Sequence, residues 1–124
     1  MKQSIVVNMP PPSKLAVATS SLARLVKEEA SYHKEMDQQQ ARIMKLEAGS
    51  EDQNAEYILR QEKQGLEETK TVIPTVRAKI SDALEKLEDQ IVSEKEAGGD
   101  APAEEVTKAN DAIEKAKATL AESA

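Results

Sequence analysis

The sequence of 124 residues contains no cysteine, phenylalanine or tryptophan and has only two tyrosines. The lack of cysteine excludes disulfide frameworks, thiol catalysis and cysteine-ligated zinc. No apolar run approaches the roughly 18 residues that a membrane-spanning helix needs, and Ile5-Val6-Val7 is too short for the core of a signal peptide. We therefore expect a soluble, cytoplasmic protein without a membrane partner.

Basic residues are fewer than acidic ones, with 17 Lys and Arg against 23 Asp and Glu, which gives a net charge of −6. A nucleic-acid surface needs many positive charges to neutralise phosphates, and two aromatic side chains offer few platforms for stacked bases. Nucleic acid is therefore not an expected partner. Acidic residues concentrate after residue 50, which is typical of solvated helix faces and would also steer the chain toward a basic patch on a protein.

Large aliphatic residues are scarce as well, with 24 Leu, Ile and Val beside 18 Ala. This content is typical of chains at the edge of disorder, whereas the abundance of Ala, Glu, Lys, Leu and Arg is typical of long helices. The positions of the apolar residues favour long helices over disorder, because these residues recur at alternating spacings of three and four over three segments. We predict helices over residues 13–47, 51–97 and 102–122.

Capping residues delimit these segments. Ser13 is suited to the N-cap of the first helix, and Gly49 to the left-handed position after its end. Ser50, with Gln53 three residues on, has the capping-box spacing that starts a second helix. Asp100 can cap the third helix.

Proline residues mark two further features. Pro10-Pro11-Pro12 cannot lie inside a helix, so residues 1–12 are predicted to form a flexible arm before a single domain of residues 13–122. Pro74 falls within the second helix, where it costs ~3 kcal/mol unless a bend relieves the clash. We predict one helix kinked at Pro74. The kink either curves the helix around its neighbours or forms part of a recognition surface with Val72 and Ile73.

Short connections between three helices predict an all-α, antiparallel up-down-up three-helix bundle with coiled-coil-like packing. If the first connection centres near residue 49, Met36 lies opposite Glu62 and Leu15 opposite Ala83. The third helix, about 31 Å long, then reaches only the end of the bundle where the first helix starts. We expect residues from about Tyr32 to Lys70 to form an uncovered two-helix hairpin that binds a partner or pairs with a second copy.

Enzyme motifs are missing from the sequence. Its four glycines form neither a dinucleotide-binding fingerprint nor a P-loop. His33 has Asp37 one turn away, as a general base and its orienting group would require, but a half-exposed helix residue with an i,i+4 contact is the favoured interpretation. A di-iron bundle needs two Glu-x-x-His pairs, which one histidine cannot supply. We expect no enzyme, cofactor or metal.

Four stretches of the sequence follow one another in a characteristic order: Leu25–Glu35, Gln38–Ile43, Asn54–Leu59 and the mid-helix pair Ile73-Pro74. Together they resemble the tubulin-binding cofactor A family, also called tubulin-specific chaperone A. The resemblance runs from about Ala16 to Ile91 and implies a three-helix fold.

The resemblance implies a cytoplasmic, cytoskeleton-associated cofactor without enzymatic chemistry. Such a protein captures β-tubulin folding intermediates after chaperonin release and passes them on for α/β-tubulin dimer assembly. The implied partners are β-tubulin and other tubulin-folding cofactors. Whether the protein also forms a homodimer is left open. The alternative function is a structural, homo-oligomeric coiled-coil interaction module.

No short motif marks the binding site of that family, so the candidate site comes from the uncovered hairpin and its continuation to the mid-helix proline. The candidate partner-binding residues are Tyr32, Lys34, Glu35, Tyr57, Ile58, Glu62, Ile73 and Pro74.

Overall fold

The computed structural model describes residues 11–122, which form three α-helices and no strand. Helix α1 spans Lys14–Glu47, α2 spans Ala55–Glu96 and α3 spans Ala103–Ala121. The predicted all-α, three-helix fold is confirmed. Residues 1–10 of the predicted arm lie outside the described residues. Within 11–122, no helix is both long enough and apolar enough to span a bilayer.

Helix α1 begins and ends as its capping residues predict. Ser13 Oγ accepts a hydrogen bond from the Ala16 N–H at 3.0 Å, which makes Ser13 the N-cap. The same hydroxyl donates to Glu105 at 2.6 Å and so joins the start of α1 to α3. Gly49 has a φ of 120°, a conformation that side chains with a Cβ avoid, and this turn ends the helix.

Helix α2 begins at Ala55 rather than at residue 51, and the predicted capping box is wrong. Ser50 Oγ accepts the Asp52 N–H at 3.1 Å, and Asp52 Oδ1 accepts the Asn54 N–H at 2.8 Å. These two side-chain turns satisfy backbone donors without a helix and compete with helical backbone there. Asn54 becomes the N-cap, without a side-chain hydrogen bond.

Helix α2 then runs through Pro74 as one helix of 42 residues, about 63 Å long. The prediction of one helix rather than two is confirmed, and the kink at Pro74 stays a prediction. The helix ends where the Gly98 and Gly99 N–H groups donate to the carbonyls of Lys95 and Glu94. This double hydrogen bond is a Schellman ending, and it needs the positive φ of 124° at Gly98.

Helix α3 starts one residue later than predicted. Its N-cap is Pro102, with no side-chain hydrogen bond, so Asp100 does not cap it. Its buried positions are all small: Ala109, Ala112 and Ala116. The small side chains let α3 pack against the other two helices, but each buries little apolar area.

Contacts between helices define their directions. Arg42 contacts Glu62 at 2.9 Å and Glu29 contacts Arg77 at 2.8 Å, so α1 and α2 are antiparallel. Ser13 contacts the start of α3, whereas Arg77 contacts the end of α3. Helix α3 is therefore parallel to α1, and the order of the bundle is up-down-up.

The predicted register between α1 and α2 is wrong. Glu62 faces Arg42 rather than Met36, and Leu15 lines a cavity with Ile91 rather than lying opposite Ala83. The physical reason is the late start of α2, because the turns of residues 50–54 move the midpoint of the connection toward residue 52.

The apolar core lies at one end of the molecule, where all three helices meet. Nine buried residues form it, and Tyr32 and Leu120 are among the half-buried residues packed around it. Its members are Leu15, Leu22, Val76, Ile80, Leu84, Leu87, Ala109, Ala112 and Ala116.

Candidate protein-binding surface

A polar cluster marks the level at which α3 ends. Glu29 is 4% exposed, and its Oε2 accepts from Arg77 Nη1 at 2.8 Å and lies 2.9 Å from His33 Nε2. Arg77 also donates to the carbonyls of Thr119, Leu120 and Glu122, at 2.8–3.1 Å. One guanidinium therefore neutralises a buried carboxylate of α1 and caps the C-terminus of α3.

His33 takes part in this cluster and not in a catalytic pair. Its ring contacts Glu29, one turn back, instead of Asp37. The interpretation of His33 as a half-exposed helix residue with an i,i+4 contact agrees with this geometry. Within residues 11–122, no three His, Cys, Asp or Glu side chains are grouped to hold a metal ion.

Beyond the polar cluster, residues 33–73 form a two-helix segment, which we call the hairpin. Its interior is thin and partly polar, because the buried residues are Ile43 and Ile73 with the polar Gln39 and Thr69. Gln39 Oε1 has no hydrogen-bond partner in the described structure. A buried amide oxygen without a partner lowers stability, so this segment packs less favourably than the core.

A shallow groove lies at the closed end of the hairpin, which we call the tip. It runs between the last turns of α1 and the first turns of α2, and Arg42 and Glu62 form an ion pair across it. Leu46 and Ile58 supply apolar surface there, and both are half-buried. An apolar floor beside an ion pair is typical of protein-binding surfaces. The groove residues are Arg42, Lys45, Leu46, Gly49, Ser50, Ile58 and Glu62.

Two large apolar side chains are exposed near the tip. Met44 is 71% exposed and Tyr57 is 55% exposed. The Tyr57 hydroxyl accepts from Gln61 Nε2 at 2.9 Å, which orients the ring on the surface. Exposed Met and Tyr side chains are enriched in the binding surfaces of proteins.

The structure divides the predicted site residues into two groups. Lys34 and Glu35 are exposed near the polar cluster, while the half-buried Tyr32 packs on the core. Ile58 and Glu62 line the tip groove. With the register given by Arg42 and Glu62, the two groups lie about 10–22 Å apart along the hairpin axis.

Ile73 and Pro74 differ in their surroundings although they are neighbours. Ile73 is 3% exposed and belongs to the interior, so it offers no surface to a partner. Pro74 is exposed. Only the proline of this pair remains available to contact another molecule.

Sequence reasoning missed Arg42, Met44 and Arg77. Glu29 occupies a position of α1 at which the alternating spacing of three and four calls for an apolar residue. An acidic side chain at such a buried position indicates a basic partner. The sequence pattern indicates that Glu29 has a basic partner but does not identify the residue. The register of α1 against α2 was needed to identify it as Arg77. The alternating apolar spacing does distinguish buried Ile43, which lies on it, from exposed Met44, which lies one residue off it.

The family model described as "Tubulin binding cofactor A" matches residues 10–113 of the chain. This range includes α1, α2 and the first half of α3, and so contains the whole hairpin.

Individual relatives agree with that match. Tubulin-specific chaperone A of Saccharomyces cerevisiae is 36% identical over 78 residues, which is 62% of this chain and 71% of the relative. The protein of the same name from Mus musculus is 29% identical over 83 residues, 67% of this chain and 74% of the relative. No solved structure matches the chain significantly.

Proposed function

Because the chain belongs to the tubulin-binding cofactor A family, we propose that it captures β-tubulin folding intermediates after chaperonin release and passes them on for α/β-tubulin dimer assembly. Its partners in this proposal are β-tubulin and the other tubulin-folding cofactors, in the cytoplasm. The observation that carries the proposal is the family match over residues 10–113.

The family consists of binding chaperones and not of enzymes, so the prediction that the chain is not an enzyme is confirmed. A chaperone of this kind acts through a surface that a client can cover. Such a surface gains affinity from exposed apolar side chains with polar groups at their edge.

We place the client surface on the hairpin. It extends over the tip groove, with Ile58 and Glu62, and includes exposed Tyr57. Lys34 and Glu35 form its edge near the polar cluster, beside Tyr32, and Pro74 lies on α2 just past the hairpin. The thin interior supports this placement, because a client that covers the hairpin compensates for the small area buried there.

The first experiment tests the partner. Immobilised protein is incubated with separately prepared β-tubulin and α-tubulin folding intermediates, and bound tubulin is measured. We expect retention of β-tubulin in clear excess over α-tubulin. Equal retention of both, or of neither, would contradict the proposal.

The second experiment tests the surface. In the Tyr57→Ala/Glu62→Lys variant, we expect at least about tenfold weaker β-tubulin capture, because an aromatic anchor and a charge are lost. Circular dichroism checks that helicity is kept. Val92→Ala/Glu85→Lys also truncates an exposed apolar side chain and reverses a glutamate charge, but at the end of the molecule that α3 covers, which we call the covered end. This variant is the matched control and should capture normally.

Glu62 pairs with Arg42, so a third variant separates recognition from stability. Arg42→Glu/Glu62→Lys exchanges the two charges and keeps an ion pair across the groove. If the client recognises which side of the groove carries the negative charge, this exchange weakens capture although the hairpin is intact. Full capture by the exchanged variant would mean that Glu62 acts only by stabilising the hairpin.

A further inference from the structure

A second surface lies between α1 and α3, beside a segment of α1 in which the charge of the chain is locally reversed. The whole chain carries a net charge of −6, but residues 11–27 contain Lys14, Arg24 and Lys27 and no acidic residue. All three are exposed. Residues 11–27 are therefore a basic segment of an acidic protein.

Lys27, at the end of this basic segment, lines a groove between α1 and α3, which we call the α1/α3 groove. Its floor is made of small or apolar side chains, with Ala23 and Val26 on α1 facing Ala112 on α3. Polar groups of Thr19 and Ser20 also line it, but the Thr19 hydroxyl donates to the Leu15 carbonyl. The groove exists because the buried positions of α3 are alanines, which leave space beside α1.

Lysines surround this floor. Lys27 stands on the α1 side and Lys108 and Lys115 on the α3 side, and Asp111 is the one acidic residue among the described residues of the lining. Among the described residues, Lys27 and Lys115 take part in no ion pair within 4.0 Å. Lys108 pairs with Glu104 at 3.5 Å, but both side chains are more than two-thirds exposed. Such a pair is weak, so Lys108 can be recruited by a ligand.

The dimensions of the groove suit a helix. It runs from Thr19 to Lys27 on α1 and from Lys108 to Lys115 on α3, about 12 Å or two helical turns. A helical segment with an apolar stripe could place that stripe on the floor and its carboxylates beside the lysines. Nucleic acid fits less well, because the lining residues within 11–122 include no arginine or aromatic side chain and the net negative charge of the chain repels phosphate.

We propose that the α1/α3 groove binds an acidic, amphipathic helical segment of a partner protein, at a site separate from the hairpin. The apolar floor supplies affinity, and the three lysines select an acidic ligand and orient it. The proposal does not depend on the client surface, because the two surfaces lie on opposite sides of the polar cluster.

The test uses a fluorescently labelled, amphipathic peptide with a leucine stripe flanked by glutamates, and the full chain. We expect saturable binding in fluorescence anisotropy that weakens as ionic strength rises. A peptide with lysine in place of every glutamate should not bind. Lys27→Glu/Lys115→Glu should weaken binding of the glutamate peptide by at least about tenfold. The same variant should gain binding of the lysine peptide.

Arg60→Glu/Lys95→Glu is the matched control, since it changes the net charge equally at exposed positions away from the groove. Circular dichroism confirms that both variants fold. Equal loss of binding in both variants would overturn the proposal, because the effect would then come from net charge alone. Absence of wild-type binding would also overturn it.

Two rival occupants are distinguished in the same series. If wild-type protein self-associates in sedimentation and Lys27→Glu/Lys115→Glu abolishes this, the groove binds a second copy and the proposal is wrong. If a single-stranded oligonucleotide displaces the peptide with the same dependence on the two lysines, the groove binds nucleic acid and the proposal is equally wrong. Neither effect is expected.

Discussion

Arg77 is the side chain that joins α1, α2 and α3 within the polar cluster. It neutralises Glu29, which is 4% exposed, and it caps the last carbonyls of α3. Breaking a buried ion pair by removing one partner is much more costly than replacing both partners, because a lone charge remains in the interior. Arg77 therefore links the C-terminus of α3 to the buried Glu29 of α1.

Arg77→Met should lower the free energy of unfolding by about 3 kcal/mol, because Glu29 loses its ion-pair partner and α3 loses its cap. Urea denaturation followed by circular dichroism measures this change. The double variant Glu29→Gln/Arg77→Met should cost less than the single variant, since it leaves no buried charge. If Arg77→Met alone costs less than about 0.5 kcal/mol, Glu29 does not depend on this partner.

Gln39 and Gly65 form a second sensitive contact, inside the hairpin. A Cβ added at Gly65 would lie 3.0 Å from Gln39 Nε2, too close unless the amide moves. Gln39 is buried, so its side chain has little freedom to move away. The glycine therefore accommodates the glutamine at the cost of helix propensity.

Gly65→Ala should consequently gain little stability in the wild-type chain. In the Gln39→Ala background, the same change should raise the free energy of unfolding by about 1 kcal/mol, the difference in helix propensity. A double-mutant cycle in urea measures the coupling between the two positions. Equal effects in both backgrounds would show that the contact does not constrain Gly65.

At the scale of elements, α2 differs from its neighbours because it continues through a proline. Pro74 has no N–H to donate to the carbonyl one turn back, and its ring crowds that carbonyl. The helix nevertheless stays continuous, because Ile73 and Val76 on either side of it are buried in packing contacts. Packing against α1 thus compensates for the intrinsic preference of proline.

Pro74→Ala should raise the free energy of unfolding by about 1–3 kcal/mol, as the missing hydrogen bond is restored and the ring is removed. Thermal and urea unfolding measure the gain. Thr75→Ala, at the neighbouring exposed position, is the control and should change stability by less than about 0.5 kcal/mol. A destabilised Pro74→Ala variant would mean that the proline conformation is needed for the packing of α2.

At the scale of the whole molecule, stability is distributed unevenly. The covered end holds a cluster of nine buried residues from three helices, whereas the hairpin fully buries only two apolar side chains, Ile43 and Ile73, with the polar Gln39 and Thr69. Local unfolding is easiest where few apolar contacts are lost. The client surface that we propose therefore lies on the less stable half of the protein.

Amide hydrogen exchange under native conditions should show this difference directly. We expect amides of residues 36–70 to exchange at least about tenfold faster than those of residues 18–28 and 76–90. Addition of β-tubulin folding intermediates should slow exchange in the hairpin and leave the covered end unchanged. Uniform protection along both helices would contradict the uneven distribution of stability.

Much of the architecture follows from local patterns. Apolar spacings predict three helices, and Ser13 and Gly49 predict the ends of α1, because caps and left-handed turns depend on a few adjacent residues. The start of α2 was less predictable, since the competing turns of Ser50 and Asp52 use the same residue types as a capping box. The uncovered hairpin was expected from helix lengths alone.

The sequence by itself thus determined the helices, their order, the family and the unequal reach of the third helix, because these properties depend on spacing and length. Only the tertiary structure decided the register of α1 against α2, and with it the pairing of Glu29 with Arg77 and of Arg42 with Glu62. This register depends on the number of residues in the connection between α1 and α2. A shift of a few residues there changes every contact along the two long helices.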